Sequence, residues 1–145
     1  MQLADVVETE RSAIIDLYIK QMRVHALETH DMNHVEGLLS AFVHSLRRGY
    51  TKDQEAVEIA ARYGERHATA GRDLRALLQE FCILRTTIAE VATLHGAASR
   101  AEIERLTEVL HASMIEAAVH FATQWRGFAT AHVMRALLRP SADTR

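Results

Sequence analysis

Apolar residues recur along most of this chain at i, i+3, i+4 and i+7, the spacing that puts them on one face of a helix. The pattern predicts a first helix from about Ala4 to Glu28, with Val7, Ile14, Leu17, Tyr18, Met22 and Val24 apolar. A second helix opens at Asp31, carries Val35, Leu38, Leu39, Phe42, Val43 and Leu46, and stops at Gly49. Thr51 and Gln54 form a T-x-x-Q capping box for a third, which closes after His67 at Gly71. Asp73 caps a fourth, whose stripe is Leu74, Leu77, Leu78, Phe81, Leu84, Ile88 and Val91 and which ends at Gly96. Ser99 and Glu102 are a second capping box, S-x-x-E, opening the last helix.

That last helix meets no proline between Ser99 and Arg139, and Gly127 is its only glycine. If continuous it is about 60 Å long, more than a small bundle can cover. Ile103, Leu106, Leu110, Met114 and Ala117 suit bundle closure, whereas Phe121, Trp125 and Phe128 continue the stripe into its far half. Two readings follow: a helix folded back at Gly127 over its own core, or one that projects into a homodimer or toward an output domain. The chain therefore divides into a bundle over 1–120, a dimer or output segment over 121–139, and a polar tail over 140–145. The fold class is all-α, about five helices in a bundle, with a globin-like arrangement as a variant.

Two positions break the pattern. Gly64 sits inside a helix, where it costs about 1 kcal/mol against Ala, so a close approach of another helix is expected there. Arg85 lies in the apolar stripe between Phe81 and Ile88, so it is expected to be partly buried and paired with another helix. Glu80 flanks the same stripe. It points roughly 140° away from Arg85, and each is expected to find its own partner.

The stretch carrying these residues resembles the N-terminal sensory domain of the RsbT co-antagonist (RsbRD) family. The likeness rests on the order Gly64, Gly71, Glu80, Phe81, Leu84 and Arg85, and spans roughly residues 10 to 125. Tyr63 stands where that family has His, His67 where it has Arg, and Phe81 where Tyr is usual. The resemblance implies a non-catalytic bacterial input module, found ahead of histidine kinases and stress-signalling proteins. Tyr63, Gly64, His67, Gly71, Glu80, Phe81, Leu84 and Arg85 are its motif residues. A signalling protein or kinase is the implied partner.

Composition narrows the alternatives. The chain has 145 residues and a net charge of −2, so no overall basic field attracts nucleic acid. No apolar run is long enough to span a membrane, and MQLADVVETERS lacks the basic start of a signal peptide. The single cysteine, Cys82, excludes an internal disulfide, suits a reducing cytoplasm, and is expected to be a buried inert thiol. Nine histidines raise the question of metal or haem. His30 and His34 are four apart, but Asp31 reads as a cap between them. Glu108 and His111 form one E-x-x-H, whereas a di-metal bundle uses two such motifs and two further glutamates. His67 falls on a face with Ala56, Ala60 and Tyr63 and reads as a hydrogen-bonded structural histidine. No P-loop, Cys-x-x-Cys, H-E-x-x-H or G-x-S-x-G is present. The expectation is no enzyme, no metal and no cofactor, with a haem- or tetrapyrrole-binding sensor and a protein-binding adaptor as alternatives.

Overall fold

A computed structural model describes residues 2–28, 32–49, 53–97 and 99–138. Among them are six helices and no strands: α1 Leu3–Thr9, α2 Arg11–Val24, α3 Asn33–Arg48, α4 Gln54–Thr69, α5 Leu74–Leu94 and α6 Arg100–Leu138. The expected first helix is thus two. Thr9 ends α1 and Glu10, at φ −102° and ψ 22°, leads into α2. The break lets Leu3, Val6 and Val7 reach the core on α3, while Ile14, Tyr18 and Met22 face α5. No glycine or proline marks it, so tertiary packing decides it.

The ends of the helices are set locally. Asp53 caps α4 by accepting the Ala56 N–H at 3.0 Å; Thr51, expected to open the capping box, lies outside the described residues, as do His30 and Asp31. Asp73 caps α5, accepting from Arg75 N–H at 3.0 Å. Ser99 accepts from Glu102 N–H at 3.2 Å, as the S-x-x-E pattern predicts. Glu102 also accepts the Leu3 N–H at 3.0 Å, so the start of α6 is tied to the start of α1.

The core runs through the bundle as one cluster, with Tyr18, Phe42, Leu38, Leu39, Leu77, Ile88 and Leu106 at its centre. α6 is unbroken for 39 residues, about 58 Å at a rise of ~1.5 Å per residue. It passes Gly127 without bending back. α4 packs most extensively on α6, in parallel: Gly64 faces Ala117, Glu65 meets His120 at 3.0 Å, and His67 faces Phe121. Phe121 is the last buried residue of α6 among the described residues, near the level at which α4 ends at Thr69.

Candidate functional site

α4 and α6 approach closely at Gly64. A Cβ there would lie 2.1 Å from the Ala117 carbonyl oxygen and 2.8 Å from its carbon. The absent side chain lets α4 and α6 meet backbone to backbone, as the sequence suggests. It also brings the next turn of α4, with His67, against Phe121; the two ring centroids are 6.0 Å apart.

On the neighbouring side of α4 the Tyr63 hydroxyl donates a hydrogen bond to Glu80 of α5. The His34 ring, from α3, stacks flat on Tyr63 with centroids 3.6 Å apart and planes within 8°. His67 meets Tyr63 edge-on at 5.7 Å. Three helices therefore contribute four polar side chains to one cluster: His34, Tyr63, His67 and Glu80, all buried.

The turn after α4 completes the cluster. At φ +71°, Gly71 occupies the left-handed region that favours glycine. Its N–H donates to Ala68 O, and Arg72 N–H donates to His67 O at 3.1 Å, the paired bonds of a Schellman ending. The chain is thereby folded so that the Asp73 carbonyl accepts from His67 Nε2–H at 2.9 Å. The same turn places Arg72 beside Glu80.

Burial dominates the electrostatics. Desolvation pushes the Glu80 carboxyl up to about 7, against the smaller opposing effects of the Tyr63 hydrogen bond and the Arg72 charge. Tyr63 is raised well above its ordinary value, first by burial, then by the Glu80 charge and hydrogen bond. Tyr18 of α2 is raised for the same two leading reasons, burial and then the Glu80 charge. Glu80 can therefore take up or release a proton near neutrality, while both tyrosines stay protonated and Tyr63 remains a donor.

A cavity of about 190 Å³ opens on this cluster, lined by Glu28, Met32, His34, Tyr63, Arg66, His67, Ala70, Arg72 and Glu80. Its deep wall is the buried cluster; Glu28 and Arg66 at its rim are exposed.

Of the motif residues expected from sequence, the structure brings Tyr63, His67 and Glu80 together, with Gly64 and Gly71 shaping the backbone around them. Phe81 and Leu84 are core. Arg85 is different: it is exposed, on the rim of a groove lined by Phe81, Cys82, Thr107, Leu110, His111 and Met114. The buried face of α5 centres on Leu84, Val91 and Glu80, and one further residue turns the side chain by roughly 100°. Cys82, expected to be buried, is exposed on the same outer side.

Phe121 is not available as an interface residue, since it is 6% exposed and packs inside its own bundle. Trp125 and Phe128, on the same stripe, are 57% and 42% exposed.

Sequence reasoning missed the role of His34, although it lies four residues before Leu38 on the buried face of α3. That periodicity is the signal that could have found it. Arg72 has no such signal, because its place depends on the turn at Gly71. Glu108 and His111 are both exposed. No group of three or more His, Cys, Asp or Glu that could hold a metal occurs among the described residues. No helix among them is long and apolar enough to cross a membrane. No protein-family model matches the chain, and no curated protein or solved structure matches it either.

Proposed function

We propose that this chain is a non-catalytic sensory input domain of the RsbRD type, working in the bacterial cytoplasm as a homodimer. Its signal leaves through α6 toward a kinase or stress-signalling partner. The observation that carries this reading is the course of α6. The helix touches the buried polar cluster at Phe121 and then runs 17 residues past its last buried position, exposing Trp125, Phe128, Val133, Leu137 and Leu138. One rigid element thus joins a cluster that can change protonation near neutrality to an apolar segment in need of a partner. A change at the cluster has a direct route to the projecting end, because His67 and Gly64 both bear on α6.

A haem sensor is less well supported. The cavity beside His34 and His67, about 190 Å³, is smaller than ordinary cofactor pockets of about 300–1,000 Å³.

Spin labels at Ala129→Cys, in a Cys82→Ser background, test the reading. A dimer gives an interprotomer distance, which should differ between pH 6 and pH 8 and lose that difference when Glu80→Gln is added. A monomer at tens of micromolar, or a distance indifferent to pH, would overturn it.

A further inference from the structure

The cavity on the Glu80 cluster has the makings of a ligand site in its own right, whatever α6 does. Its deep wall holds four buried polar side chains on three helices. A buried Glu is rare unless paired; Glu80, bonded to the Tyr63 hydroxyl, is buried and yet lines this cavity. Small-molecule sites are concavities with a few convergent polar groups and perturbed acids or bases.

The lining charges select the ligand. Arg66 and Arg72 line the cavity together with Glu28 and Glu80, and the Arg72 charge acts on the Glu80 carboxyl. His34 and His67 add polar edges, and Met32 and Ala70 supply apolar surface. Guanidinium forks match planar carboxylates, two N–H groups to two oxygens. With Glu80 protonated, as its raised pKa allows near neutrality, the two arginines outnumber Glu28 by one charge, which a single carboxylate balances, whereas a cation would be opposed by both arginines. Size sets the other limit: a cavity of about 150 Å³ accommodates benzene, so the 190 Å³ here suits roughly five to eight non-hydrogen atoms by the same measure.

We propose that this cavity binds a small organic monocarboxylate. Its carboxylate pairs with Arg72 and Arg66. Its short apolar or hydroxylated remainder lies between Met32, Ala70 and the stacked His34–Tyr63 rings. The unbranched, polarizable Met32 side chain allows the cavity to adapt to ligands of slightly different shape.

NMR titration of the full chain tests this, reading the Met32 methyl and the His34 and His67 ring protons. Propionate and lactate are the probes; propionamide and inorganic phosphate are the comparisons. Saturable shifts are expected with at least one carboxylate at millimolar concentration or below, and binding at least tenfold weaker for propionamide and phosphate. Arg72→Gln should weaken the carboxylate at least tenfold, and the exposed Arg66→Gln serves as the second variant should the turn not tolerate the first. The proposal falls if neither carboxylate gives a saturable shift. It also falls if propionamide or phosphate binds as tightly, or if a folded arginine variant binds unchanged.

Discussion

The carbonyl oxygen of Ala117 sits 2.1 Å from where a Cβ on Gly64 would be. Two parallel helices meet there with no side chain between them, and the atom in the way is backbone, which cannot swing aside. Gly64→Ala gains helix propensity, which at an exposed site would stabilise by about 0.4–1 kcal/mol. Here the overpacking cost dominates, and a net loss of about 1–3 kcal/mol is expected. Urea denaturation decides the sign; a gain would show that α4 and α6 can separate freely.

Among the described residues, the Tyr63 hydroxyl donates to the buried Glu80 carboxyl. Tyr63→Phe keeps the ring and its stack with His34 but leaves the carboxyl without that bond. A stability loss of about 1–3 kcal/mol is expected, the cost of an abandoned buried partner. Because the bond holds Glu80 down against burial, its removal should also raise the Glu80 pKa above about 7. A carbon-detected titration of the Glu80 side chain reads this directly. A fall in pKa would show that the hydroxyl does not donate to Glu80.

Stability should depend on pH through the same residue. Glu80 is raised from 4.5 to about 7 on folding, so between those values the folded state holds a proton that the unfolded state has released. Folding stability from this group is complete below about pH 4.5, falls as pH rises toward 7, and stays low above it. Two to three pH units at about 1.4 kcal/mol each set the scale at roughly 3 kcal/mol. Glu80→Gln keeps an acceptor for Tyr63 without a charge. It should flatten this part of the profile and be more stable than the parent at pH 8, though not at pH 5. Parallel profiles for the two proteins would assign the dependence elsewhere.

The helical pattern of the chain is legible because its breakers are glycines and its caps are Asp73 and Ser99, all local signals. Gly64 is legible for the same reason: a glycine inside a helix calls for a neighbour. The Glu10 break is not, since it depends on α1 and α2 packing against different helices. The exposure of Arg85 is not legible because a stripe centred on Phe81 and one centred on Leu84 fit the apolar positions almost equally well; Glu80, Ile83 and Thr87 turning inward separate them. The site itself is half legible. Tyr63, His67 and Glu80 stand out in sequence, whereas Arg72 enters only through the geometry of the Gly71 turn. The Phe121, Trp125, Phe128 stripe is real, but the place where α4 stops beside it leaves no mark in α6.

That stopping point frames the association prediction. Phe121 packs on His67 within the bundle, whereas Trp125 and Phe128 project beyond the end of α4 and are exposed together with Val133, Met134, Leu137 and Leu138. Exposed apolar clusters of this kind mark interaction surfaces, and a second copy of the helix can cover them symmetrically. Large aromatics often dominate such interfaces. Trp125→Ala should therefore weaken self-association by roughly tenfold or more, the effect of ~1.4 kcal/mol, while leaving the unfolding midpoint of the bundle nearly unchanged. Phe121→Ala should do the reverse, costing about 3–5 kcal/mol of folding stability as a core truncation. Sedimentation of the parent and both variants at micromolar concentration, beside denaturant curves, separates the two roles. A monomeric parent, or a Trp125→Ala variant that associates as well as the parent, would remove the projecting helix as the dimer contact.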